Sequence, residues 1–139
     1  MNQLMENLKE LTSDVLYKMF FLIEEAEPLK KNFDFKYGVC IENDKFSIIL
    51  LYTDKVAKLL TENFLGTDVI SDEDIYDTLK EAINIIAGNF IGLHLKNLSD
   101  KVPVPYKIKD LKTIKNEDYN AKIMFFHEDP LKLMLKLNT

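Results

Sequence analysis

The stretch FKYGVCIENDKFSIILLY, residues 35–52, contains two apolar segments on either side of the polar group Glu42-Asn43-Asp44. Each segment, Phe35 to Ile41 and Lys45 to Tyr52, has the length and the β-branched and aromatic content of a strand. The polar group between them is typical of a hairpin turn. The stretch therefore predicts two consecutive antiparallel strands. In the second strand, alternate residues are expected to share one face: Phe46, Ile48, Leu50 and Tyr52.

A helix is predicted on each side of this hairpin. Apolar residues spaced three and four apart predict a first helix from about Asn2 to Ala26, which Pro28 is expected to end. Its predicted buried stripe is Leu4, Leu8, Leu11, Val15, Met19 and Leu22. After the hairpin, a short helix is predicted from about Lys55 to Leu65, with Asp54 as its N-terminal cap and Gly66 at its left-handed end.

The longest predicted helix runs from about Asp72 to Asn97. Ser71, with Asp74 three residues later, resembles a capping box at its start. Prolines at 103 and 105 exclude helix beyond it.

Three further strands are predicted at the end of the chain. The segment Val102 to Ile108 contains two prolines, which favours an edge position. The segment Tyr119 to His127 is apolar on both faces, as expected of a central strand. A hairpin turn at Glu128-Asp129-Pro130 leads to the last strand, Leu131 to Leu137. The predicted order is α-β-β-α-α-β-β-β in one domain, residues 1–139: an α+β fold with a mainly antiparallel sheet and helices packed on one face.

Composition and charge exclude several classes of partner. The net charge is −5, and the 18 basic residues, all lysines, are spread along the chain, so we expect no nucleic-acid partner. Apolar runs are too short to cross a bilayer and the N-terminal stretch MNQLMENLKE is not a signal peptide, so no membrane association is expected. The single cysteine, Cys40, lies in an apolar strand, which predicts a buried, unreactive thiol and fits a reducing cytoplasm.

The longest helix separates into two stripes at about 100° per residue. The apolar stripe, expected to face the sheet, is Ile75, Leu79, Ala82, Ile86, Phe90 and Leu93. The opposite stripe is Asp77, Glu81, Asn84, Gly88 and Gly92. Solvation alone explains the acids of a polar stripe. It does not explain an asparagine and two glycines, because each interior glycine costs about 1 kcal/mol relative to alanine.

Such a stripe is typical of a surface that another molecule approaches closely. The Asn84 carboxamide can both donate to and accept from one water molecule and thereby position it. The Glu81 carboxylate, one turn away, can hold a lysine of a partner. Neither side chain is a strong nucleophile, so the chemistry would rest on positioning.

The spaced set Asp77-x3-Glu81-x2-Asn84-x3-Gly88 resembles the signature of the CheC/CheX/FliY phosphatases of bacterial chemotaxis, whose CheC-like fold the predicted order fits. The surroundings are also similar to that family: Tyr37 to Ile41, Ala57 to Gly66, and Lys101 to Pro105. The resemblance covers about residues 4–137.

The resemblance implies a phosphatase that acts on the phospho-aspartate of a CheY-like response regulator. It assigns Glu81 to pairing with a regulator lysine and Asn84 to orienting the attacking water. Asp77 and Gly88 complete the stripe as supporting, partner-binding residues, although a merely solvated Asp77 fits the sequence equally well. Mg²⁺ would be supplied by the regulator, so no cofactor and no metal site of the chain's own are expected.

Relatives of the CheC type carry the motif twice, with the first copy on the N-terminal helix. The corresponding stretch of this chain is Asp14 to Phe21, where Lys18 stands in place of the acid and Phe21 in place of the amide. The resemblance is therefore to the single-site CheX type. Proteins of that type are commonly homodimers built through their sheets. The segment Tyr119 to His127 and the final strand would suit such an edge, although a buried central strand explains the former equally well.

Other readings of the sequence are a non-catalytic receiver-binding or switch-complex module of the same fold, and, with less support, a small-molecule binder that uses the strand faces. His94 and His127 have no ligand-spaced neighbours, which favours structural roles. The acidic group Glu24, Glu25 and Glu27 is interpreted as a solvated helix end.

Overall fold

The structure is a computed structural model that describes residues 1–29, 32–99 and 101–138. Its helices and strands follow the predicted order: α1 (Asn2–Phe20), β1 (Phe35–Glu42), β2 (Phe46–Thr53), α2 (Asp54–Leu65), α3 (Asp72–His94), β3 (Tyr106–Lys107), β4 (Asn120–Phe126) and β5 (Asp129–Leu137). All strand pairs are antiparallel, and the five strands form one sheet in the order β3-β1-β2-β5-β4. None of the described helices is long and apolar enough to span a membrane.

Asn43 explains the tight turn between β1 and β2. Its side-chain Oδ1 accepts hydrogen bonds from the backbone N–H groups of Lys45, at 2.8 Å, and Phe46, at 3.1 Å. The Asn43 N–H in turn donates to the Phe46 carbonyl at 3.0 Å. The predicted hairpin is therefore confirmed, with Ile41 opposite Ile48.

The sheet is covered differently on its two faces. The residues of β2 that were predicted to share one face all lie in the main core, where the three helices pack. On the opposite face, Ile49 and Leu51 are covered by the segment 108–119 between β3 and β4, which contains two short 3₁₀-helices, Leu111–Thr113 and Asn116–Asp118. Gly38 allows this segment to pack closely, since a Cβ atom there would lie 2.6 Å from Leu111 Cδ2. The three α-helices thus occupy one face, and the predicted α+β class is confirmed.

The predicted positions of the last strands need correction. The segment Tyr119 to His127 is not central: β4 is one of the two edge strands, and its Ile123 is 48% exposed. Its residues are apolar on both sides because Met124 and Phe126 face the core while Phe125 packs against Phe33.

The last strand, β5, is interior, because it pairs with both β2 and β4. Its turn is His127-Glu128, one residue before the predicted position, and both residues have positive φ, as in a two-residue hairpin loop. The strand predicted from Val102 is confirmed as an edge, but it shortens to the two residues of β3.

The first helix ends six residues earlier than predicted, at Phe20 instead of Ala26. Phe21 adopts a left-handed conformation, with φ of 58°, and the Leu22 N–H donates back to the Leu16 carbonyl. This reversal buries Leu22. Met19, in the last turn of α1, is 47% exposed, so the predicted stripe is wrong at Met19.

The acidic residues Glu24, Glu25 and Glu27 lie beyond the end of α1 rather than at it, and Glu25 and Glu27 are exposed as predicted. The Glu25 N–H pairs with the Phe125 carbonyl beside β4, at 2.8 Å, and Glu24 forms an ion pair with Lys9 of α1. These contacts continue the edge of the sheet with the chain that follows α1.

The other two helices begin close to the predicted positions. Thr53, not Asp54, caps α2, since its side chain accepts from the Val56 N–H. Asp54 is instead the first helical residue and its carboxylate contacts Lys36 and Lys58. Gly66 has the predicted left-handed conformation.

Candidate functional site

Helix α3 is held firmly at its start. Ser71 and Asp74 form the predicted reciprocal capping box, with both side chain to backbone hydrogen bonds present. The Tyr37 hydroxyl of β1 donates to Asp72 Oδ1 at 3.1 Å. The helix ends at His94 rather than Asn97, because Leu95 leaves the helical conformation.

The sheet-facing side of α3 is almost wholly buried. Five of the six residues predicted for it are buried: Ile75, Leu79, Ala82, Ile86 and Phe90. Leu93 is the exception, with 69% of its surface exposed. At this end of the helix the core contacts pass through Ile91 and Leu95, which are four residues apart and point to the other side of the axis from Leu93.

The opposite stripe faces solvent. Asp77, Glu81, Asn84 and Gly92 are exposed, and Gly88 is half-buried. Within the described parts of the chain, the side chains of Glu81 and Asn84 have no hydrogen-bond or ion-pair partner. The amide and the carboxylate are therefore available to an incoming molecule, and their spacing puts them on adjacent turns of one rigid helix.

The glycines of this stripe are not required by the packing of the chain itself. A Cβ atom at Gly88 would meet only Val102 Cγ2, at an ordinary 3.6 Å, and one at Gly92 would meet nothing within 4 Å. Beside them lies a cleft with a volume of about 380 Å³. The absent side chains therefore leave room along the two helical turns that follow Asn84, which the described part of the chain does not fill.

Two lysines at the rim of this cleft, Lys96 and Lys101, were not singled out from the sequence. Lys96 follows the helix and Lys101 precedes the proline segment, so no helical or strand period connects them. Only the fold brings them beside Gly88 and Gly92.

The residues at the position of a first motif copy lie on α1 and just after it. Asp14 Oδ2 and Lys18 Nζ form an ion pair at 3.1 Å, and Phe21 is 71% exposed. The position that would need an amide thus presents an aromatic ring.

The histidines and the cysteine lie in ordinary surroundings. The exposed His94 ring packs against Phe90, and His127 occupies the β4–β5 turn. Cys40 is buried as predicted, and this burial raises the pKa of its thiol. Among residues 1–29, 32–99 and 101–138, no group of three His, Cys, Asp or Glu side chains is arranged to hold a metal ion.

Comparison with known proteins gives a consistent family and fold. The family model described as chemotaxis phosphatase CheX matches residues 43–127. The crystal structure of the chemotaxis protein CheX from Vibrio vulnificus superposes with a TM-score of 0.70 at 16% identity, covering 97% of this chain and 96% of that one. No curated protein matches the chain at a significant level.

Two further structures show the same fold. The CheX from Desulfovibrio desulfuricans gives a TM-score of 0.69 at 22% identity, with 98% and 99% of the two chains covered. A complex of CheX with CheY, BeF3 and Mg²⁺ from Borrelia burgdorferi gives a TM-score of 0.68 at 21% identity, with 96% and 97% covered. The fold expected from the resemblance is therefore confirmed.

Proposed function

The chain belongs to the family of CheX chemotaxis phosphatases, and on this basis we propose that it hydrolyses the phospho-aspartate of a CheY-like response regulator. The observation that carries the proposal is the pair Glu81 and Asn84, exposed on one face of α3 and not engaged by other described side chains. The solved complex that contains CheX and CheY supports this choice of partner.

In the proposed mechanism, Asn84 enters the active site of the regulator and holds one water in line with the phosphorus atom. Its carboxamide donates to and accepts from that water, so the water is oriented as well as placed. Glu81 forms an ion pair with a lysine of the regulator and thereby sets the position of α3. Asp77 and Gly88 support the contact, Gly88 by leaving space beside the amide.

We propose that the divalent ion of the reaction is supplied by the regulator and that this chain contributes no cofactor. The Borrelia burgdorferi complex contains Mg²⁺ together with CheY and BeF3. An ion next to the phosphoryl group would neutralise its charge while Asn84 orients the water.

We also propose that the protein is a homodimer. Of the two segments considered from the sequence, β5 is interior, so only β4 offers a sheet edge. Residues Asn120 to Ile123 of that edge lie beyond the point where Glu25 pairs with Phe125. Sedimentation equilibrium tests this directly, and a monomer at all concentrations would contradict it.

The test of the activity is loss of phosphate from a purified phosphorylated receiver domain. We expect wild type to accelerate the loss, and Glu81→Ala and Asn84→Ala to do so far less. Asn89→Ala is the matched control, because Asn89 is exposed on the same helix but outside the stripe, with its side chain bonded to the Ile85 carbonyl. Equal acceleration by all four proteins would contradict the proposal. Binding without any acceleration would instead favour the non-catalytic module.

A further inference from the structure

The face of the sheet opposite the three α-helices contains a second cleft, with a volume of about 690 Å³. Strands β2 and β5 form its floor, and the segment 108–119 forms its walls. The apolar and aromatic lining residues are Ile49, Tyr106, Ile108, Ile114 and Tyr119. This size is within the usual range of small-molecule sites. The cleft lies across the sheet from α3, so it is separate from the Glu81–Asn84 stripe.

The charged residues around this cleft are mostly cationic. Lysines outnumber aspartates by three to two at this cleft: Lys109, Lys115 and Lys136 against Asp110 and Asp118. Lys107 also lines it, but its Nζ lies 4.3 Å from the centre of the Tyr76 ring of α3, on the helix side of the sheet. None of these lysines forms an ion pair with a residue that the structure describes. In a chain of net charge −5, this is a local reversal of sign, and it draws anions toward the cleft.

One wall of the cleft is flat and held in place. The hydroxyls of Tyr119 and Ser47 share a hydrogen bond of 3.0 Å, and Ser47 is 1% exposed. The Nζ atom of Lys136 lies 5.1 Å from the centre of the Tyr119 ring. The ring is therefore fixed at its polar end, and its face lies beside a cationic group.

From these features we propose that the cleft binds a small organic anion with a flat apolar body. The body lies against the Tyr119 ring and the isoleucines, and the anionic group is held by Lys109 and Lys115 at the rim. Shape, apolar lining and charge all favour such a ligand over an inorganic anion, which would leave the apolar walls uncovered, or a neutral aromatic, which would leave the lysines uncompensated. This site is independent of the proposed phosphatase activity.

The test uses 8-anilinonaphthalene-1-sulfonate as the probe, because it combines a flat aromatic body with one fixed anionic group. Its uncharged analogue, N-phenyl-1-naphthylamine, has the same body without the sulfonate. The cleft variant is Lys109→Gln/Lys115→Gln. The control is Lys45→Gln/Lys112→Gln, which removes the same charge at exposed lysines that do not line the cleft.

We expect the cleft variant to bind the sulfonate about tenfold more weakly in a fluorescence titration, since two nearby charges are removed. The control variant should bind it like wild type, and the uncharged analogue should not distinguish the two variants. In amide chemical-shift mapping of wild type, the sulfonate should perturb residues of the segment 108–119. Equal weakening in both variants, or shifts centred on α3, would overturn the proposal.

Discussion

The Tyr52 hydroxyl is buried in the core and has no hydrogen-bond partner among the described residues. Leaving a buried polar group unpaired costs about 1–3 kcal/mol. We therefore predict that Tyr52→Phe raises the free energy of unfolding by about 1 kcal/mol in urea denaturation. Tyr37→Phe, which removes a hydroxyl that donates to Asp72, should lower it by a similar amount. A loss of stability in both variants would contradict this.

Alkaline pH should act on the same residue. Burial raises the pKa of Tyr52 in the folded protein. In the unfolded chain the pKa of a tyrosine is about 10. Its contribution to stability is thus complete below about pH 10 and declines as the pH rises toward the folded pKa. We predict that Tyr52→Phe loses less unfolding free energy than wild type between pH 9 and pH 11. Equal losses would show that Tyr52 does not resist ionisation.

Alternation along β2 predicts that Tyr52 faces the core, and the structure agrees. The same alternation contains no information on whether a partner reaches the hydroxyl, because that depends on residues distant in the chain. A side chain's face could thus be predicted from the sequence, and its hydrogen bonding could not.

Among the elements, α3 allows stability and activity to be separated. The chain leaves room for a methyl group at Gly88, so Gly88→Ala should stabilise the protein by about 1 kcal/mol through helix propensity. The same methyl group would obstruct the regulator beside Asn84, so we expect slower dephosphorylation. Gly92→Ala, one turn further from Asn84, should stabilise similarly with a smaller effect on the rate. Full activity of Gly88→Ala would contradict the proposed close approach.

The contact between β1 and the segment 108–119 depends on the absence of a side chain at Gly38. A methyl group there would lie 2.6 Å from Leu111 Cδ2 and 3.0 Å from Leu51 Cδ2. Overpacking of this kind costs about 1–3 kcal/mol, which we predict for Gly38→Ala in thermal or urea unfolding. Adding Leu111→Ala should make the Gly38→Ala step less costly than it is in wild type. Additive effects of the two substitutions would show that this contact is not the cause.

Periodicity predicted the elements best where one local pattern decides them. The β1–β2 hairpin and the capping box of α3 both depend on residues within a few positions of each other. The end of α1 and the edge position of β4 depend on where the chain after Phe21 packs, which no local pattern records. Both were predicted wrongly, as were the C-terminal end of α3 and the length of β3.

Across the whole molecule, the same distinction applies to the candidate site. The exposed stripe could be predicted from helical period alone, because all its members lie on one helix. The lysines beside the two clefts could not, because no helical or strand period connects them and only the fold brings them together. The sheet therefore separates two surfaces of different character, an amide–carboxylate stripe on the helix side and a lysine-rimmed cleft on the other.

The most direct test of the central claim separates water positioning from binding. It compares, at saturating phosphatase, the decay of phospho-regulator with wild type and with Asn84→Ala, alongside the affinity of each for the BeF3-loaded regulator. Loss of a positioned water predicts a decay rate about a hundredfold lower, with affinity within about threefold of wild type. If Asn84→Ala at saturation supports decay at the wild-type rate, Asn84 does not position the attacking water.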